Sequence, residues 1–259
     1  MSSALATQIG QLARRSVLRT FRQPASIVPA LVFPLMLLAV NTAGLRSATR
    51  LPGFPADSYL DFALGFAFMQ GALFTTSNAG TDLARDIETG FLNRLSLTPL
   101  RGASLLTGHL AGAVSMGLIQ SLVYLGVGLA VGVRLESGPL GALVLILLAV
   151  LIAIGFGALG AALALRTGTG EAIQASFPLF FALLFLSSMN MPRNLMDVGW
   201  FRAVATYNPV SYLIEGLRSL IIVGWDVQAL ALGFGIAAAI AALGLTASAA
   251  ALRRRLARS

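Results

Sequence analysis

The sequence predicts an all-α integral membrane protein with six transmembrane helices, and three observations lead there. Of 259 residues, 57% are hydrophobic and only 11% charged, where a soluble domain carries roughly 25% charged residues. The charges are also clustered, leaving six long uncharged stretches. Arg22 to Arg46 encloses 23 residues, Asp61 to Asp82 20, Arg101 to Arg134 32, Glu136 to Arg166 29, Glu171 to Arg193 21 and Asp226 to Arg253 26. Each reaches the ~18–20 residues that carry a helix across a ~30 Å hydrocarbon core. Such uniformly apolar runs are helices and not barrel strands, because a helix satisfies its own backbone in lipid. The spans are placed at Ile27–Gly44, Phe62–Thr81, Leu105–Val133, Leu140–Leu165, Ala172–Met191 and Val227–Leu252.

The third observation is the distribution of basic residues. Six spans put both termini on one side. Assigning the termini and the second and fourth connections to the cytoplasm places 12 arginines there and six outside. Basic residues favour the inner side, so both termini are expected in the cytoplasm. The acids divide four inside and six outside, so the net charge of +8 falls on the cytoplasmic face.

Ahead of the first span, residues 1–26 read as an interfacial helix. Leu5, Ile9, Leu12, Ala13, Val17 and Phe21 fall on one half of a helical wheel and Arg14, Arg15, Arg19 and Arg22 on the other. An apolar face beside an arginine face lies along the inner leaflet, and Pro24 ends the helix. A twin-arginine export signal would also match Arg14-Arg15, but such a signal precedes a soluble domain and not five further spans.

Two connections are longer than topology requires. In the cytoplasmic segment 82–104, Asp82, Arg85, Asp86 and Glu88 extend the second span into water and Gly90 breaks it. Phe91, Leu92 and Leu95 share one face of a short helix, which Thr98-Pro99 stops. That face suits either a groove on a partner protein or the bilayer surface. In the outer segment 192–226, Asn208 caps a helix starting at Pro209. Val210, Leu213, Ile214, Leu217 and Ile221 form its apolar stripe. Ser211, Glu215 and Arg218 lie opposite, with Glu215 and Arg218 spaced to pair. This re-entrant amphipathic helix, stopped near Gly224, either dips into the outer leaflet or caps the bundle.

Composition also removes several chemistries. All 18 basic residues are arginine, so the chain has neither the Walker A lysine of a phosphate loop nor a Schiff-base lysine. One histidine, His109, and no cysteine leave no conventional zinc site. No catalytic pair, bound metal, bound cofactor or nucleic-acid partner is expected. An ion-coupled secondary transporter usually places ionisable groups within spans, whereas all ten acids lie outside these six runs.

Two motifs then carry a family resemblance. The first is Arg85-Asp86-Ile87-Glu88-Thr89-Gly90-Phe91-Leu92-Asn93-Arg94-Leu95 followed by Thr98-Pro99. The second is Tyr207-Asn208-Pro209-Val210-Ser211-Tyr212 with Glu215-Gly216-Leu217-Arg218. Together, at these topological positions, they resemble the integral-membrane subunit of type-two ATP-binding-cassette exporters, and within it the daunorubicin-resistance permease group. The resemblance covers nearly the whole chain. It implies two paired permease subunits, identical or different, each docked to a separate ATPase that binds ATP and Mg2+, in a bacterial cytoplasmic membrane. It places the coupling helix at Phe91 to Pro99 and polar contacts with the ATPase near Glu88. It also implies that the second and fifth spans face the dimer axis. Phe62, Phe66, Met69 and Gln70 on the second, and Phe177, Phe181 and Phe185 on the fifth, then form a candidate path for a hydrophobic or amphipathic cargo, with ordinary bundle packing or lipid contact as the alternative. An exporter of a lipid-linked glycan and an ion-coupled transporter are the competing functions.

Overall fold

The computed structural model describes residues 2–96 and 102–256, and among them every regular element is helical. The α-helices in chain order are α1 (Ser2–Phe21), α2 (Pro24–Gly44), α3 (Tyr59–Glu88), α4 (Phe91–Ser96), α5 (Gly102–Ala130), α6 (Gly138–Thr167), α7 (Gly170–Phe185), α8 (Gly199–Tyr207), α9 (Pro209–Ile222) and α10 (Val227–Leu256). The caps explain several boundaries. Gly90 follows α3 with φ +69° and Gly168 follows α6 with φ +81°, a left-handed conformation that glycine adopts without a Cβ penalty. Thr169 then caps α7 by accepting from Ala172 N, so α6 and α7 reverse within two residues. Asn208 caps α9 through Val210 N, with Pro209 at the first helical position.

α3 is the central helix. It packs against α2, α5, α6, α7 and α9, and most of its length is buried. Its polar residues Gln70, Thr75 and Thr76 therefore meet protein rather than lipid. Close approach of the long helices rests on small residues, as in membrane bundles generally. A Cβ on Gly160 of α6 would lie 2.1 Å from the Thr76 carbonyl of α3. α9 and α10 meet at Gly216 and Gly233. α1 lies in a groove on α5 where Gly108 faces Leu12 and Gly112 faces Ser16; two glycines four residues apart on one helix read, from sequence alone, as a site of close helix packing.

Four helices, α2, α5, α6 and α10, are long and apolar enough to cross a membrane. The other two expected spans take a different form. α3 has ample length but is more polar, because its neighbours shield it from lipid. The fifth expected span, 172–191, ends early as a helix: α7 stops at Phe185, and residues 186–191 turn. At 16 residues α7 is only about 24 Å long. Its neighbouring turn is held by side chains from α9, described below.

Segment 192–226 is also more deeply buried than an amphipathic surface helix. α8 meets α9 at Asn208, and α9 buries both its apolar stripe and Ser211 and Arg218 against α3, α6 and α10. The expected Glu215–Arg218 pair does not form. Glu215 pairs with Arg193 instead, while Arg218 turns into the bundle and donates to carbonyls of α3 and of the turn after α7.

The two ends of the bundle differ. Leu12 of α1, Phe91 of α4, Leu165 of α6 and Leu252 of α10 line one cavity, so the N-terminal helix and the end of the last helix share one end. The start of α3, the turn after α7 and α9 occupy the other.

Candidate coupling and substrate-path sites

At the shared end, the sequence sets two i, i+4 pairs facing each other: Arg15 and Arg19 on α1, Asp82 and Asp86 on α3. Arg15 donates from Nη1 and Nη2 to the two oxygens of Asp86 at 3.0 and 2.9 Å, a bidentate fork suited to guanidinium and carboxylate. Arg19 bridges the two acids, with Nη1 3.0 Å from Asp86 Oδ1 and Nη2 3.0 Å from Asp82 Oδ1. Burial pushes the Asp82 carboxyl above its ordinary range, against the opposing pull of Arg19 and His109. The Arg15 guanidinium also lies 3.9 Å over the Phe91 ring. α1, the end of α3 and α4 are thereby joined into one polar and aromatic knot.

The residues expected to contact a partner ATPase divide into two groups. Asp86 is committed to α1, and Glu88 accepts from Gly170 N at the start of α7 at 3.0 Å. Leu92 is turned into an apolar cluster with Leu83, Ile87, Leu106, Leu165 and Leu252; it lines the same cavity as Phe91, so the face the two share points into the chain rather than away from it. The reason is that a six-residue helix folded back under α3 finds apolar surface within its own chain first. Arg85 and Arg94 are exposed, Arg94 donating to the Thr89 carbonyl at 3.4 Å, and Gly90 makes the turn between α3 and α4. Thr98, Pro99 and the side chain of Leu95 lie outside the described residues. Arg15, Arg19 and Asp82 were not among the expected site residues, although their matching four-residue spacings were visible in the sequence.

At the far end, Arg218 is the organising residue. Its Nε donates to the Phe62 carbonyl at 2.9 Å, Nη1 to Ser188 O at 3.2 Å and Nη2 to Met189 O at 3.0 Å. The guanidinium lies 3.4 Å over the Phe62 ring. One side chain thus ties α9 to the start of α3 and to the turn that ends α7. Alongside it, Glu215 accepts from the Ser188 hydroxyl at 2.9 Å and from Arg193, and Arg193 lies over the Tyr212 ring. The Asn208 side chain, besides capping α9, donates to the Leu183 and Leu186 carbonyls at 2.7 and 3.0 Å. Arg193 had no expected role; the pairing of Glu215 across 22 positions has no signature in local spacing.

The candidate path residues also separate. Phe62, Phe66, Met69 and Gln70 are all fully buried within the protomer, Phe62 beside Phe54, Tyr59 and Arg218. Both amide atoms of Gln70 lack a hydrogen-bond partner. The α7 residues instead join Phe33 of α2 and Phe74 of α3 in a ladder. Phe74–Phe177, Phe177–Phe181 and Phe181–Phe185 centroids lie 5.6, 5.6 and 5.1 Å apart, and Phe33 touches both Phe74 and Phe181. Phe185 is 47% exposed and Leu179 66%, so this wall opens to the outside of the protomer. The two sets of path residues do not share one open surface, because α3 is enclosed whereas α7 lies at the edge.

Residues 7–222 match the model of the ABC-2 type transporter family. The chain belongs to that family. Among similar proteins is a probable doxorubicin resistance ABC transporter permease of Mycobacterium tuberculosis, 26% identical over 204 residues, covering 79% of this chain and 73% of the relative. A daunorubicin resistance ABC transporter permease of Streptomyces coeruleorubidus is 28% identical over 200 residues, with 76% and 69% coverage. A putative transport permease of Pyropia yezoensis is 30% identical over 225 residues, with 85% and 75% coverage. The match takes in most of α1, both ends of α3, α4, α8 and α9, so the ABC-2 region contains both polar knots. The chain is a multi-pass membrane permease of this family.

Proposed function

We propose that this chain is the membrane-spanning subunit of an ATP-driven exporter that moves a hydrophobic or amphipathic compound out across a bacterial cytoplasmic membrane. Six passes, both termini inside, and assembly of two permease subunits with two copies of a separate ATPase complete the reading. ATP and Mg2+ belong to that ATPase. The observation that carries the proposal is the family match over residues 7–222, supported by relatives named for resistance to daunorubicin and doxorubicin and by the absence of lysine.

In this reading the knot of Arg15, Arg19, Asp82, Asp86 and Phe91 passes force from the ATPase to the bundle. A push on α4 reaches α3 and α1 together, since the Arg15 guanidinium contacts both Phe91 and Asp86. α3 then carries the displacement through the bundle to Arg218 at its other end. The exposed Arg85 and Arg94 are the polar contacts offered to the ATPase. The open Phe177, Phe181 and Phe185 wall suits an apolar ring system, and the enclosed Gln70 amide supplies a polar contact once α3 moves.

The test is co-expression with a candidate ATPase, co-purification, and transport of a fluorescent amphipathic drug into inverted vesicles. Uptake should require both subunits and ATP. Transport by this chain alone, driven by a proton gradient, would overturn the assignment. Within the same assay, Phe91→Ser should weaken ATPase association; unchanged association removes Phe91 from the coupling route.

A further inference from the structure

At the end of the bundle away from α1, a cavity of about 700 Å3 lies between α2, the loop after it, the start of α3 and the end of α5. α2 lines it with one stripe: Leu35, Leu38, Thr42 and, just beyond the helix, Arg46. Spacings of three and four residues keep these on one face. Leu35 to Arg46 spans about 16 Å at 1.5 Å per residue, roughly half the thickness of the ~30 Å hydrocarbon core. Val127 of α5 closes the apolar part from across the slot.

Polarity is graded along this slot. Its depth is aliphatic and its mouth carries Arg46 and Asp57, both exposed and of opposite charge. Neither side chain has a hydrogen-bond or ion-pair partner among the described residues. Between depth and mouth, the Thr42 hydroxyl is buried without a partner, although a helical threonine can ordinarily bond the carbonyl four residues back. An unpaired buried hydroxyl destabilises the fold unless something supplies the missing bond. Asp57 and Glu136 each lie close enough for their charge to act on Asp61, so the Asp57 side of the mouth is acidic and attractive to a cation.

We propose that this cavity binds one phospholipid with a zwitterionic, primary-amine headgroup. An acyl chain lies along Leu35, Leu38 and Val127, an ester oxygen accepts from the Thr42 hydroxyl, the phosphate meets Arg46 and the ammonium meets Asp57. The guanidinium fork matches phosphate oxygens, and an ammonium donates hydrogen bonds to carboxylate. A quaternary ammonium has no N–H to donate, and an anionic headgroup leaves Asp57 opposed rather than paired. One free cation beside one free anion therefore selects a neutral zwitterion over either alternative. The site stands independently of the transport reading.

The experiment is intact-complex mass spectrometry of the full chain in detergent, titrated separately with phosphatidylethanolamine, phosphatidylcholine and phosphatidylglycerol. Phosphatidylethanolamine should be retained about tenfold more tightly than the other two. Asp57→Asn should remove its advantage over phosphatidylcholine, and Arg46→Gln should weaken both zwitterionic lipids about tenfold. Ala39→Phe, which places a ring in the slot, should weaken all three. Arg46 and Asp57 are exposed and unpaired, so their substitutions leave the fold intact, and the same spectra report the folded charge distribution. Equal retention of the three lipids by the unmodified chain, or a preference unchanged by both charge substitutions, overturns the proposal and leaves the slot a contact for bulk lipid only.

Discussion

Replacing Arg218 with leucine tests whether the polar knot on α9 holds the bundle together. The side chain is 6% exposed and donates three hydrogen bonds to backbone carbonyls. Leucine removes all three donors while nearly keeping the packing volume, leaving the carbonyls of Ser188 and Met189 unpaired in apolar surroundings, while Phe62 O keeps its bond in the α3 ladder. Each unpaired carbonyl costs about 1–3 kcal/mol, and the lost stacking over Phe62 about 2 kcal/mol when desolvated. Against this stands relief of the several kcal/mol needed to bury a guanidinium. The balance is a net loss of about 2–4 kcal/mol, with no charge left unpaired because Glu215 keeps Arg193. Arg218→Lys should fall between, since an ammonium keeps the charge but cannot fork to carbonyls on two separate segments. Reversible unfolding in mixed detergent micelles measures the difference, and proteolysis across residues 186–191 reports whether the turn after α7 loosens. A leucine variant as stable as the parent would refute the reasoning, because the carbonyls would then have found other donors at no cost.

Three further outcomes are expected. In a double-mutant cycle, Arg19–Asp86 should couple by about 1–2 kcal/mol, while Arg15–Asp86 stays below about 1 kcal/mol, because the Arg15 side chain is 43% exposed and solvent screens it. Equal coupling energies would mean that burial does not decide the strength of this knot. Gly160→Ala should destabilise by about 1–3 kcal/mol through the clash with the Thr76 carbonyl, whereas Gly126→Ala, with open space around it, should be neutral or slightly stabilising by thermal unfolding. Gln70→Leu should raise stability by about 1 kcal/mol or more, since an unpartnered buried amide is removed, and should lower transport of a cargo bearing hydrogen-bonding groups. A fall in stability instead would show that the amide is satisfied in the membrane-embedded protein.

Elements whose structure follows from neighbouring residues were legible in the chain. Asn208-Pro209 starts α9, Gly90 separates α3 from α4, Pro24 follows the end of α1, and Gly108 and Gly112 bring another helix close. Each is a local rule of caps, backbone freedom or side-chain size. The partners of charged residues were not legible in the same way. Glu215 and Arg218 satisfy the spacing rule for a helical pair, yet each finds a more distant partner, because α9 packs inside the bundle, where Arg218 turns to carbonyls of α3 and of the turn after α7 and leaves Glu215 to Arg193. Leu92 likewise reads as an outward apolar residue until α4 folds beneath α3.

The sequence by itself determined the solvent of this protein: uncharged runs, an arginine excess around one set of connections and missing lysine define a lipid-embedded chain without its own phosphate loop. Hydropathy and charge are properties of composition and order, so no contacts are needed to read them. Only the tertiary structure decided which helix is central, which aromatic residues remain open and where Arg218 goes. Those outcomes depend on which surfaces compete for burial across the bundle, and that competition is between residues far apart in the chain.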